Sequence, residues 1–200
     1  MADALIIFVR HPEAGKVKTR LAATLGNAAA LFIYKKLLQH TLEITESIDT
    51  DKVVFYAGDI VEDDMWQRPK YIKLQQADGD LGHRMNAAFE TVLAMGYNKV
   101  CIIGSDCCEL TTEIIADAFH SLEKNDIAIG PADDGGYYLL GMKQLHSSLF
   151  QNKSWSTNLV LADTLQTIQQ LGLTVQRLPQ LSDVDEAEDV PAAWLTEIIK

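Results

Sequence analysis

The stretch that most constrains the fold is V-C-I-I-G-S-D-C-C-E-L, residues 100–110. Val100 to Ile103 are four consecutive apolar residues, and Gly104-Ser105 stops them at once. A run this short, rich in β-branched residues and lacking polar alternation, is the pattern of a strand buried on both faces. Such strands belong to sheets covered by helices on either side. Asp106 then falls just past the strand's carboxyl end, the edge at which open α/β sheets hold ligands. A carboxylate in that place either holds a divalent cation or caps the next helix. Thr111 and Thr112 are available to cap a helix running from about Glu113 to Leu122, which leaves Asp106 for metal work.

The rest of the chain repeats the alternation of short apolar runs with helical periodicity. Strands are expected at Ala4 to Val9, Lys52 to Ala57, Tyr71 to Leu74, Ile127 to Gly130 and Thr174 to Leu178. Between them, Leu31, Tyr34, Leu38, Leu42 and Thr45 recur at helical spacing within Asn27 to Ile44. Asp80 can cap a helix presenting Leu81, Met85, Phe89 and Val92 to the core, and Trp155 precedes a helix through Leu161, Leu165, Ile168 and Leu171, with Ser156 or Thr157 as caps. A last helix contains Trp194, Leu195 and Ile198, with Glu186, Glu188 and Asp189 suited to its first turn. The acidic stretch Asp59 to Asp64 reads as a solvated loop. Strands alternating with helices predict a three-layer α/β/α protein with a mostly parallel central sheet. At 200 residues, the chain is expected to form a single domain over residues 1–200.

Charge narrows the partners. A formal net charge of -11 repels phosphate backbones and anionic lipid, so neither nucleic acid nor a membrane surface is an expected partner. The first apolar run, six residues ended by Arg10, is neither a signal peptide nor a membrane span. Cys101, Cys107 and Cys108 have no zinc-like spacing, and adjacent cysteines seldom bridge. Reduced thiols and a cytoplasmic protein are expected.

Against this acidic background R-H-P-E-A-G-K-V-K-T-R-L, residues 10–21, carries four cations and one acid. Gly15 lets backbone approach a ligand closely, and Arg10, Lys18 and Arg20 can neutralise phosphate. It is no Walker loop: Arg10 stands where the first glycine is required and Val17 where Ser or Thr is required. Arg84 lies in the first turn of its helix, where a cation opposes the helix dipole unless it meets an anion. G-P-A-D-D-G-G-Y-Y-L-L-G, residues 130–141, reads as a hairpin turn. Asp134, Gly135, Gly136 and Tyr137 also suit substrate binding, Asp134 above all. Trp155, at a loop-to-helix junction, can cover a sugar or base. In L-S-D-V-D-E-A-E-D the alternation of Asp183 and Asp185 turns both carboxylates to one side of an extended segment.

Together these motifs resemble a family of small bacterial glycosyltransferase-like proteins of GT-A type, within the nucleotide-diphospho-sugar transferase superfamily. The matching stretches are H-P-E-A-G-K-V-K-T-R-L, L-G-H-R-M, I-G-S-D, G-P-A-D-D-G-G-Y-Y-L-L-G, W-S-T and D-V-D-E-A-E-D. They are also similar to those of the phospholactate guanylyltransferases and, more distantly, of the cytidylyltransferases that activate sugar acids. The family usually has proline where Cys108 stands. The resemblance implies a transferase with a nucleotide or nucleotide-sugar donor and a small-molecule acceptor. It implies Lys18 and Arg20 on the phosphates, Asp106 and Asp185 on a magnesium or manganese ion, and Lys18 and Asp106 as the catalytic pair. Glycosyl and nucleotidyl transfer use nearly the same scaffold, a non-catalytic nucleotide sensor is the alternative of another class, and a homo-oligomer is left open.

Overall fold

The computed structural model describes residues 2–198. Its strands are β1 (Ala4–Arg10), β2 (Asp51–Ala57), β3 (Tyr71–Gln75), β4 (Val100–Ile103), β5 (Ile127–Pro131), β6 (Tyr137–Met142) and β7 (Val175–Arg177). They form one seven-stranded sheet in the order β3-β2-β1-β4-β6-β5-β7. The sheet is parallel except for β6, which runs antiparallel to both β4 and β5. The helices are α1 (Thr19–Leu25), α2 (Asn27–Glu46), α3 (Leu81–Ala94), α4 (Thr112–Ser121), α5 (Val160–Gln170) and α6 (Ala192–Ile198).

The period of two along β1 divides the core. Leu5, Ile7 and Val9 pack on one side with Ile33 and Leu37 of α2, Ile115 and Phe119 of α4, and Trp194 of α6. Ala4 and Ile6 pack on the other with Met85 and Phe89 of α3 and Ile168 of α5. Three layers result. All four residues of β4 are buried, as the uninterrupted apolar run requires, and each large side chain withdrawn this way contributes about 1.5–3 kcal/mol.

Several local expectations hold. The Asp80 carboxylate accepts from His83 N at 2.8 Å at the start of α3, and Thr111 caps α4 through Ile114 N at 3.4 Å. With Thr111 as the cap, Asp106 is free of that duty. Other elements differ from the pattern. The basic stretch does not remain a loop through Leu21: α1 starts at Thr19, because Leu21 reaches the core and is fully buried. The buried stripe of α2 runs through Ala30, Ile33, Tyr34, Leu37, Leu38, Thr41 and Leu42, whereas Leu31 lies at its margin. Asp64 is not simply solvated. It accepts from the Tyr56 hydroxyl at 2.6 Å and pairs with Lys73 at 2.7 Å, pinning the 59–70 segment over β2 and β3. At the C-terminus, Glu186 and Asp189 cap each other across a short 3-10 turn, Ala187–Asp189, and Pro191 separates that turn from α6. The acids therefore serve this turn rather than the last helix.

Candidate active site

At the carboxyl edge of the sheet, chain segments that are remote in sequence meet beside Asp106. Its backbone carbonyl accepts from Val184 N at 2.8 Å, which seats the C-terminal D-V-D segment against the end of β4. Val184 is 1% exposed and faces the core, so Asp183 and Asp185 flank it on the opposite side, as their alternation demands. Glu109 reinforces the seat by accepting from Ser182 N at 2.8 Å. Cys108, beside it in a turn, packs partly buried against the core.

Lys18 reaches this point from the first loop. It holds a left-handed backbone conformation (φ 47°, ψ 52°) just before α1, with buried Val17 and Leu21 anchoring the loop on either side. Its side chain is only 5% exposed, and Nζ lies 3.1 Å from Asp106 Oδ1 and 3.6 Å from Asp185 Oδ1. Arg20 Nη1 takes the other oxygen of Asp185 at 2.9 Å. Lys18 and Arg20 are thus matched by Asp106 from mid-chain and Asp185 from near its end instead of standing open, and Lys16 pairs locally with Glu13 at 3.0 Å.

Asp183, which sequence reasoning noted only for its direction, is the most perturbed member of the cluster. Burial, then the negative fields of Asp106 and Asp134, push its carboxyl up to about 7, with Lys18 opposing. Asp183, Asp106, Asp134 and Asp185 therefore share one field around one ammonium.

Arg10 and Arg84 form a second cationic group. Arg10 ends β1, and its N–H donates to the Tyr34 hydroxyl at 2.9 Å while that hydroxyl donates to the Arg10 carbonyl at 3.2 Å. Tyr34, which the apolar pattern marks only as core, thereby staples α2 to the site. Arg84 donates to Gln76 Oε1 at 3.2 Å and to the Asp80 carbonyl at 3.3 Å. Its guanidinium is depressed below its ordinary value first by burial and then by Arg10, with Asp80 opposing. Neither arginine has a carboxylate at ion-pair distance among the described residues.

The hairpin between β5 and β6 is built mainly for shape. Gly135 has φ +86°, and a side chain there would run into the backbone of Asn158, while its carbonyl accepts from Leu161 N at 2.9 Å. Asp134 Oδ1 accepts from Gly136 N at 2.8 Å, and Asp133 accepts from Gln180 at 2.6 Å and from the Ser182 hydroxyl. Gly135 and Gly136 thus answer to turn geometry, although Asp134 remains exposed beside the cluster. The Tyr137 hydroxyl corrects an expectation. It is buried towards Thr164 on α5, with no partner at hydrogen-bonding distance, and does not face the ligand edge. Trp155 lies over Gly82 of L-G-H-R-M so closely that a side chain at Gly82 would overlap the indole, which joins two of the sequence motifs. Gly15 has φ +78° and lies at the loop's exposed surface.

The donor set suits a hard cation. Asp106 and Asp185 offer carboxylate oxygens that converge on one point, as magnesium or manganese requires. Among the described residues no group of three or more His, Cys, Asp or Glu side chains is arranged to hold a metal. A metal here would draw its remaining ligands from phosphate oxygens and water, the usual habit of magnesium.

The sheet order and edge site define an α/β protein with the nucleotide-diphospho-sugar transferase fold. A presumed nucleotide-diphospho-sugar transferase from Desulfovibrio desulfuricans G20 shares it, with 30% identity, a TM-score of 0.88, and 98% of this chain and 95% of that one covered. The fold alone extends to the inositol-1-phosphate CTP transferase of T. maritima (12% identity, TM-score 0.58, 100% and 97% covered). It extends likewise to the 4-diphosphocytidyl-2C-methyl-D-erythritol synthase of Anaerococcus prevotii (10% identity, TM-score 0.60, 100% and 96% covered). Residues 41–157 match the family described as "Uncharacterized protein conserved in bacteria (DUF2064)", and the chain belongs to that family. No functionally curated protein matches the chain. Among the described residues no helix is long and apolar enough to cross a membrane.

Proposed function

We propose that this protein is a metal-dependent transferase of GT-A type that takes the transferred group from a nucleotide or nucleotide-sugar donor and delivers it to a small-molecule acceptor. The observation that carries this reading is the convergence of Lys18, Asp106 and Asp185 on one point at the carboxyl edge of the sheet. An acidic protein that binds an acidic donor needs such a cation-centred site.

Asp106 and Asp185 would hold a magnesium or manganese ion, which would supply neutralisation of phosphate charge and Lewis-acid activation. Lys18 and Arg20 neutralise charge that develops on the departing phosphate, in a place where the lysine is shielded from water and its charge acts strongly. Arg10 and Arg84, both without acidic partners, take the remaining anionic groups. Asp134 faces the acceptor, and Trp155 walls the donor side. The reaction needs no covalent enzyme intermediate, so positioning and charge are the whole contribution of these side chains.

One observation favours nucleotidyl transfer as the second reading. Arg10 and Arg84 stand without acidic partners beside the Lys18 and Arg20 ion pairs, and two such cations suit the additional phosphate of a triphosphate and release of pyrophosphate.

Thermal stability measured against nucleoside triphosphates and nucleotide sugars, each with and without magnesium or manganese, tests the proposal. A donor at about a hundred times its dissociation constant adds roughly 2.7 kcal/mol. Metal-dependent stabilisation followed by release of nucleoside diphosphate establishes glycosyl transfer, and release of pyrophosphate establishes nucleotidyl transfer. Stabilisation without turnover on any donor would make the protein a sensor, and the absence of any shift would overturn the proposal.

A further inference from the structure

Both oxygens of Asp185 are already engaged by cations, Oδ1 by Lys18 at 3.6 Å and Oδ2 by Arg20 at 2.9 Å. Asp106 offers Oδ1 to the same ammonium at 3.1 Å. A divalent ion at the point where these oxygens converge would have to displace the Lys18 ammonium from it. Its bonds to oxygen, about 2.1 Å for magnesium, are also much shorter than these contacts, so the acids must draw together around it. The ammonium has little other company: its side chain is 5% exposed and reaches the acids from a left-handed backbone position, φ 47°. An ammonium displaced from the pair needs another anion within reach, because an unpaired buried charge is costly. Phosphate is that anion.

We propose that Lys18 is a positioning residue that holds Asp106 and Asp185 in place of the metal and exchanges them for phosphate when the donor arrives. The lysine would pass from carboxylate to phosphate when a metal held by Asp106 and Asp185 arrives with the donor. This inference rests on the reading of the site as a metal and phosphate centre. Its consequence is that one side chain acts with opposite sign on the two ligands. Lys18 weakens binding of the metal alone and strengthens binding of polyphosphate, whereas a residue that merely held the loop in shape would affect both in the same direction.

Manganese binding followed by electron paramagnetic resonance tests this without turnover, with inorganic tripolyphosphate as a donor probe that carries no base. In the wild-type protein tripolyphosphate should tighten manganese binding. Lys18→Met should tighten binding of manganese alone by about tenfold, because a competing positive charge is gone. It should weaken tripolyphosphate binding by at least a similar factor. Lys18→Gln, polar and of similar reach, should show the same pair of opposite shifts, and Lys36→Met on the remote face of α2 should show neither. Two further outcomes separate the proposal from its foundation. If Asp106→Asn abolishes manganese binding but neither Lys18 variant tightens it, the exchange is overturned and the metal site stands. If manganese binding is absent from the wild-type protein and from every variant, or unaffected by Asp106→Asn, the metal reading falls and takes the exchange with it.

Discussion

The basic loop with its acids and the hairpin at Asp133 to Gly136 both carry adjacent charges and glycines at the same edge of the sheet, yet they are satisfied in different ways. In the hairpin the acids are spent on hydrogen bonds to uncharged partners that fix the shape of the loop. Asp134 accepts from Gly136 two residues on, and Asp133 ties down Gln180 and Ser182. In the loop Arg20 meets Asp185 across 165 positions of sequence, and Lys18 meets Asp106 and Asp185 together. Neutral hydrogen bonds are the ordinary means of fixing a turn. A buried ammonium between two acids, one just past β4 and the other in the C-terminal D-V-D segment, does nothing for local geometry and carries a desolvation cost, so it marks chemistry more strongly than the hairpin does.

Asp106→Asn should break the contrast most forcefully. The amide keeps the shape of the side chain but removes a full negative charge from the point where the cations meet. Affinity for donor in the presence of magnesium should fall by about a thousandfold, of the order of 4 kcal/mol, measured by calorimetric titration. An unchanged affinity would reduce the cluster to a structural ion pair.

Gly135→Ala tests the other side. The new Cβ would meet the backbone of Asn158, and φ +86° is strained for any side chain. We expect a loss of about 3 kcal/mol, a drop in melting temperature of roughly 6 to 12 °C. Metal binding at Asp106 should persist in the folded fraction. A stable variant that had lost donor binding would instead make the glycine a ligand contact.

The legibility of the two regions in the sequence follows the same division. Short-range rules found six of the seven strands, with β6 only implied by the hairpin, and found the Asp80 and Thr111 caps, the turn at Asp-Gly-Gly and the common direction of Asp183 and Asp185, because each depends on neighbours a few residues away. Asp106 at the end of β4 was legible for that reason, from an apolar run and a following glycine. The matched charges were not. Nothing near Lys18 shows that its ammonium is held by residues 106 and 185, and nothing near Asp64 shows that Tyr56 and Lys73 claim it. The seven residues of α1 were hidden behind Pro12 and Gly15, since so short a helix depends on tertiary burial of Leu21 more than on its own propensity. Tyr137 went wrong similarly: its place beside a turn suggested a ligand, while α5, folded later in the chain, covers its hydroxyl.

The smallest of these effects concerns Asp183, where the site's charge becomes visible as stability. Its carboxyl is raised to about 7 by burial first and by Asp106 and Asp134 next. In the unfolded chain an aspartate titrates near about 3.9. Between those two values the folded protein keeps a proton that the unfolded chain has released, so the contribution of this carboxyl to stability is greatest below about pH 4, falls as pH rises to 7 and levels off above. Integrated fully, a shift of that size is worth at most about 4 kcal/mol, and we expect roughly half because the cluster borders water. Asp183→Asn removes the titrating group while preserving its size. Chemical denaturation across pH should then show a variant more stable than the wild type by about 2 kcal/mol at pH 8 and close to it at pH 4. A gain that is the same at both pH values would mean that the carboxyl is not held protonated by its acidic neighbours, and that the four acids do not share one field. A gain confined to alkaline pH ties the instability of the fold to the negative charge gathered at this edge, to which Asp106 contributes from the end of β4 and Asp134 from the hairpin.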